Sequence, residues 1–403
     1  MAAPEPVAGA APALGDEAVA LAVELVATDS VNPGLVPGAA GEREVVALLD
    51  HRLRARGFAT HVVTPPGYPD RPSLLAASAP VPGAPTVVLT GHLDTVGVAG
   101  VPDPFGARVD AGRLHGRGAC DMKAGVAALV VAGEEVVRAH AGVRVVLALV
   151  SDEEDRSLGT EALLEALPRL GVRPDVALVG EPTWLARTVS LRGYALVEVT
   201  FAGRAAHSSQ PELGVDAVAH LGRLLAAVEA RHREVATTGG SLLVTVAEGG
   251  DSPFVVARSA RAVVERRTVP GERAEDALEE VEALLARLRH DDPEVDATAR
   301  LLGAREAWRL DPDGAAATLA DALDRALART APPGAPAPAP FAAPYWMEAP
   351  LWQAAGVPAL VCGPAGGGLH APDEWVDLEQ VRRYTGAVVE AVRSLTGEAD
   401  GAD

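Results

Sequence analysis

Two adjacent carboxylates, Glu153 and Glu154, end an apolar run, VRVVLALVSDEED. The run reads as a buried strand, which places the pair at a strand's carboxyl end. Neighbouring residues on extended backbone point to opposite sides. One Glu can then bind a cation while the other faces something else, such as a water molecule. A lone Glu-Glu pair is usually solvated surface, but this pair has company. TGHLDTV at 90–96, GRGACDMKAG at 116–125 and VGEPT at 179–183 each place a metal-capable side chain just after an apolar run.

A site for two divalent, zinc-like ions needs histidine nitrogen and carboxylate oxygen ligands, one of them bridging. His92, Asp121, Glu154, Glu181 and His370 offer that set. Asp94 follows His92 by two residues. On a strand both share a face, so Asp94 can accept the second ring N–H of His92 and orient it. Asp121 stands between a Gly-rich turn and a helix expected from Met122, where it suits a helix N-cap as well as a bridging ligand. Glu181 precedes Pro182 after a buried strand. His370 follows three glycines, which would let backbone approach a crowded site. Each residue alone has an ordinary structural use. Five of them in this order are improbable as coincidence.

The elements that must position these groups follow a β-then-α rhythm. Helical periodicity covers about 16–28, 42–56, 122–138 and 159–168, and apolar strands cover 86–94, 143–154 and 175–182. That rhythm predicts an α/β fold with a mostly parallel sheet flanked by helices. Ligands collect at the carboxyl ends of such strands, where His92, Glu153, Glu154 and Glu181 fall. After Glu181 the pattern changes to alternating strands at 190–203, 241–250 and 260–269, with helices at about 215–233 and 272–289. This β-α-β-β-α order predicts an antiparallel sheet with helices on one face. Residues 187–303 are thus expected to form an inserted α+β domain, with 1–186 and 304–403 forming the other. A helix at about 313–329, an extended Pro-rich loop at 331–340, the segments VPALVCGP and AGGGLHAPDEW, and a helix at about 377–396 complete the chain.

Composition narrows the function. The chain has 403 residues, 48% of them hydrophobic, and a formal net charge of −20. A nucleic-acid or anionic-membrane partner would need a basic face, so neither is expected. No apolar stretch is long enough to cross a bilayer. The start, MAAPEPVAGAAPALGDEA, lacks a basic head and a strong apolar block; it reads as a frayed leader and not as a secretory signal, and a cytoplasmic protein is expected. Cys120 and Cys362 are too few and too distant for a disulfide framework. Lys123 is the only lysine in an Arg-rich chain, which suggests that Arg does not fit there.

The motifs GHLDTV, GRGxxDMKxG, DEE, GEPT, GRxAHSSxPxxGVDA and GGGLHxPDEW resemble those of the two-zinc amidohydrolases and peptidases. That family contains acetylornithine deacetylase, succinyl-diaminopimelate desuccinylase, aminoacylase and the glutamate carboxypeptidases. The resemblance runs from about residue 16 to 396. It implies two divalent ions, zinc first and cobalt or manganese next, since histidine and carboxylate ligands suit all three. It implies that Asp121 bridges them, that His92 and Glu181 complete one shell, and that Glu154 and His370 complete the other. Glu153 would be the general base, taking a proton from metal-activated water and passing it to the leaving amine. Asp94 would assist at His92.

The resemblance also implies a ferredoxin-like lid that carries the main contact of a homodimer. On that lid His207 would help stabilise the tetrahedral oxyanion, and Arg267, in ERRTVPGE, would bind a substrate carboxylate through its fork. Its ordinary alternative is an ion pair with Glu265. Two departures stand out. Phe254 occupies the place of the family's usual Asn and cannot donate a hydrogen bond, and Ala124 replaces a usual Gly. The stretch from Tyr345 to Trp375 looks most like the acetylornithine deacetylase branch. The expected substrate is therefore an N-acyl amino acid. A peptidase of the glutamate-carboxypeptidase type acting on short peptides is the second reading, and a non-catalytic relative serving as a binding module is the third.

Overall fold

The computed structural model describes residues 13–396. Residues 1–12 of the expected leader lie outside the described residues, and Leu14 already opens the first helix, Leu14–Ala27. The chain divides into two compact units. One takes Met1–Thr188, Leu310–Phe341 and Leu351–Asp403, and the other takes Val189–Arg309 with Ala342–Pro350.

The first unit is built on a six-stranded sheet. Its order is Ala59–Val63, Ser73–Ala77, Arg144–Val150, Thr86–His92, Val176–Val179 and Ala359–Val361. The last four are mutually parallel, and the first two are antiparallel to their neighbours. The parallel strands are buried almost throughout, as a sheet covered on both faces requires. Helices Leu14–Ala27, Ala124–Arg138, Ala315–Arg329 and Leu378–Arg393 pack together, while Arg43–Ala55 and Leu158–Ala166 pack on the outer strands. Ala124–Arg138 is apolar around most of its circumference, and it is buried from Ala124 through Glu134. The strands Ala59–Val63 and Ser73–Ala77 have no counterpart in the sequence reading. The former is mostly exposed and carries Thr60 and His61, so no apolar run marks it.

The second unit holds a four-stranded antiparallel sheet in the order Ser241–Gly249, Ser259–Thr268, Gly193–Ala202 and Asp296–Arg305. Gly193–Ala202 alternates buried residues with half-buried or exposed ones. Its Ala195, Val197, Val199 and Phe201 form one core with Leu221, Leu224 and Val228 of helix Ala217–Val235 and Val281, Leu284 and Leu285 of helix Asp276–Asp291. Both helices therefore lie on one face, and the complete order is β-α-β-β-α-β. The last strand, DATARLLGAR, was not expected from its sequence, because it alternates around small and charged residues and buries few large side chains. Residues 342–350 join this unit through local contacts. Arg192 N–H donates to the Ala343 carbonyl, and the Trp346 indole donates to the Glu306 carbonyl while its ring meets Tyr194 edge-on. Among the described residues, no helix is long and apolar enough to cross a membrane.

Candidate metal centre

Three adjacent parallel strands deliver candidate ligands at their carboxyl ends. His92 closes Thr86–His92, with His92 opposite Val150 and Thr90 opposite Val179. Glu153 and Glu154 follow Val150, and Glu181 follows Val179. Asp121 comes from an irregular turn, Ala119–Lys123, that leads into Ala124–Arg138. His370 comes from the loop between Gly366–Gly367 and Trp375–Asp377, and it adopts a left-handed φ of 60°. Close approach fixes this arrangement. A Cβ at Gly125 would lie 2.1 Å from the Gly180 carbonyl oxygen, so the start of the helix touches the strand end only because residue 125 is glycine.

The five proposed ligands converge. His92 Nε2 lies 3.1 Å from Asp121 Oδ1 and 3.9 Å from Glu181 Oε1. His370 Nε2 lies 3.3 Å from Asp121 Oδ2 and 3.2 Å from Glu154 Oε2. Glu153 belongs to the same cluster: one ligand atom each from His92, Glu153 and Glu181 lie within 4.8 Å of one another. The same holds for His92, Asp121 and Glu154.

Charge in this cluster is strongly coupled. Burial alone would push the His92 pKa down, but the hydrogen bond to Asp121 and the nearby Glu181 and Glu153 carboxylates hold it well above the usual value. Hydrogen bonds to Asp121 and Glu154 raise His370 to about 10. Burial and then the Asp121 charge raise Glu154. Burial works against Asp121 as well, but its bonds to His370 and His92 outweigh this and hold it below the usual carboxylate range. Carboxylates outnumber histidines in the cluster, and each histidine is drawn toward its charged form by the acids around it.

Three local expectations are corrected. First, His92 Nδ1 is 2.9 Å from the Asp94 main-chain oxygen but 3.7 Å from its carboxylate. The backbone carbonyl orients the ring. The Asp94 carboxylate instead accepts N–H bonds from Glu153 and Glu154 and the Asn32 amide. Second, those bonds curl the chain after Val150 into a turn with Asp152 at φ 69°, so the Glu pair does not ride on extended backbone. Third, Asp121 is not an N-cap: the helix begins at Ala124, and Asp121 has φ −119° and ψ 95° ahead of a cis bond to Met122. Ala124 fits fully buried at the helix start.

Several buried residues around the cluster went unassigned in the sequence. Asn32 bridges the Asp94 and Asp152 carboxylates, and Arg71 joins Asp152 to Glu42. They are distant in sequence from every motif, so only the fold connects them. Lys123 is fully buried and donates to the Thr28 carbonyl at 2.7 Å. Burial pushes its ammonium down to about 7. Cys120 and Cys362 are buried free thiols whose pKa burial raises, which removes them as nucleophiles.

The remaining candidates lie in the second unit. His207 is bridged to Val255, and its Nδ1 accepts the Ser209 backbone N–H at 3.1 Å beside the Ser209 hydroxyl. The ring proton of the neutral form then sits on Nε2. Arg267 is paired with Glu265 through Nε at 2.8 Å and Nη2 at 2.7 Å, and its guanidinium lies 5.4 Å from the Tyr194 ring centre. Phe254 is 69% exposed, and its carbonyl accepts the Ser208 N–H.

Comparison with known proteins accords with this geometry. The chain is 31% identical over 326 residues to an acetylornithine deacetylase of Myxococcus xanthus, covering 78% of this chain and 81% of that one. It is 30% identical over 223 residues to a succinyl-diaminopimelate desuccinylase of Zymomonas mobilis, covering 54% of this chain and 57% of that one. Its fold is similar to a tripeptidase from Staphylococcus aureus, with a TM-score of 0.76 at 18% identity over 95% of this chain and 99% of that one. It is also similar to a dinuclear metal-binding peptidase of the M20 family from Bacillus subtilis, with a TM-score of 0.70 at 14% identity over 96% and 99% of the two chains. Residues 88–394 match Peptidase family M20/M25/M40, and the chain belongs to that family as a hydrolytic enzyme.

Proposed function

We propose that this hydrolase cleaves the amide bond of an N-acyl amino acid, using two divalent ions held by His92, Asp121, Glu154, Glu181 and His370 with Glu153 as the general base. The observation that carries this is Asp121, whose two oxygens face two different histidines at 3.1 and 3.3 Å. A carboxylate so placed could serve two ions at once, one that His92 and Glu181 would also hold and one that His370 and Glu154 would also hold. The cluster fits cations on two further grounds. Glu154 Oε1 is buried without a hydrogen-bond partner. His92 Nδ1 faces a carbonyl that can only accept, which leaves Nε2, 3.1 Å from Asp121, as the ring atom that would hold an ion in place of its proton. The donor set of nitrogen and oxygen suits zinc, cobalt or manganese.

Divalent ions at such a site supply Lewis-acid polarisation of a carbonyl and acidify water to a pKa of about 7. Glu153 removes a proton from the attacking water and returns it to the amine nitrogen as the C–N bond breaks, so a free acid and an amine leave. Its backbone N–H is fixed on Asp94 Oδ1, which holds the base in place. His207 donates from Nε2 to the oxyanion, a contact worth about 3 kcal/mol in the transition state. Arg267 receives the substrate carboxylate on Nη1, the edge that Glu265 leaves. The second unit carries the contact of a homodimer.

The similarity to an acetylornithine deacetylase over 326 residues favours an N-acyl amino acid. The deciding experiment is a hydrolysis screen of N-acyl amino acids and dipeptides with added zinc or cobalt. Release of acid from N-acyl amino acids is expected. Turnover confined to dipeptides would replace this substrate class with peptides, and no turnover of either would remove the proposal.

A further inference from the structure

One buried acid near the centre belongs to neither the ligand set nor the chemistry. Glu374 is 3% exposed. Its Oε1 accepts the backbone N–H groups of Cys120 at 2.9 Å and Asp121 at 3.0 Å, and its Oε2 accepts that of Gly118 at 3.0 Å and the Arg117 guanidinium at 2.7 Å. Three N–H groups of one turn converge in this way, with Gly118 left-handed at φ 79° and the intervening Ala119 N–H given to the Gly116 carbonyl, and together they form a concave anion-binding pocket. Here the anion is a side chain of the same molecule. Glu374 also lies four residues after His370, and Arg117 reaches back to the His370 carbonyl at 3.5 Å and across to the Gly97 carbonyl at 3.2 Å. The Glu374 carbonyl accepts the Gly116 N–H, which ties the same two segments a second time.

We propose that Glu374 is a positioning residue that sets the distance between the Asp121 turn and the His370 loop, and through it the geometry of the two-ion site. The proposal rests on that site being present. Asp121 is the one ligand in contact with both histidines, so its turn and the His370 loop must hold their spacing to within a fraction of an ångström. Asp121 and Met122 are outside helical geometry, and the helix begins only at Ala124, so its regular ladder does not set the position of the Asp121 turn. A carboxylate is required. It has lone pairs for three N–H donors and a guanidinium at once. An amide in its place turns an N–H₂ group toward donors.

The test compares Glu374→Gln and Arg117→Lys with the parent. Each protein is stripped and titrated with zinc against a chelator of known affinity. The melting temperature of the metal-free form is recorded alongside, as are kcat and KM. Disturbing a residue that supports a ligand typically weakens metal affinity 10- to 100-fold. The expected result is a loss of that size in Glu374→Gln. Arg117→Lys, which keeps the pocket filled, should lose less, with kcat falling more than KM rises in both. Glu374→Asp, with the charge kept and the reach shortened, should recover less than the parent affinity. If folded Glu374→Gln binds zinc within twofold of the parent, Glu374 is only a structural acceptor and the proposal falls. Should Glu374→Gln not fold, an unchanged affinity in Arg117→Lys and Glu374→Asp overturns it equally. A parent that binds no divalent ion overturns the two-ion site itself, which separates that failure from this one.

Discussion

Asp94 ties together the two glutamates and a histidine of the cluster through its own acceptors. Its carboxylate takes the N–H groups of both Glu153 and Glu154 and an amide N–H from Asn32, while its main-chain oxygen orients His92. Replacing it by Asn keeps the shape but turns an N–H₂ group toward one of those donors, at a cost of about 1–3 kcal/mol for the unpaired buried group. Asp94→Asn is therefore expected to lower kcat/KM by about 10- to 100-fold, and a rate within twofold of the parent would show that the two Glu backbones are held by other means. Glu153 separates binding from chemistry. Glu153→Ala should retain divalent metal by elemental analysis and lose turnover by about 10²–10⁴-fold. Retained turnover places the base elsewhere, and lost metal makes Glu153 a ligand.

At the scale of elements, the site depends on a helix pressed against a strand end. Gly125 of Ala124–Arg138 meets Gly180, and Gly363 meets the same carbonyl, its Cβ position lying 2.4 Å away. A methyl at Gly125 forces this contact apart. Gly125→Ala should destabilise the protein by about 1–3 kcal/mol, and a melting temperature equal to that of the parent would show that the helix start can shift freely. The sequence disclosed which strands end in the clustered residues, because His92, Glu154 and Glu181 each follow an apolar run long enough to be read as buried. It did not disclose what the backbone does next. The turns at 151–154 and 118–122 owe their shape to Asp94 and Glu374, which come from remote segments, and such long-range acceptors leave no local pattern. The outer strands Ala59–Val63 and Asp296–Arg305 were illegible for a related reason: at an edge, few large apolar side chains are buried. The roles proposed for His207 and Arg267 rest on motif resemblance alone, since each makes ordinary local bonds.

At the scale of the molecule, the second unit presents Ser241–Gly249 as an edge strand, with Leu243 46% exposed on it. An uncovered edge is a template for pairing with another chain, so light scattering on the purified protein should give the mass of a dimer. A monomer across the micromolar range would remove the homodimer. The metal proposal has a consequence that separates the two units. Asp121, Glu153, Glu154 and Glu181 crowd two histidines, all in the first unit, and no proposed ligand lies in the second. Ions that bind only the folded site stabilise it by about 2.7 kcal/mol at a hundredfold excess over Kd. Chelation should therefore lower the melting temperature and release hydrogen-exchange protection around 90–94, 117–124, 150–154 and 366–376. The sheet at 193–305 should keep its protection, because its core is formed by its own strands and helices. Loss of protection spread evenly over both units would mean that they unfold as one. Unchanged exchange at the ligand strands after complete chelation would show that no ion contributes to their stability, and the carboxylate cluster would then need another source of positive charge.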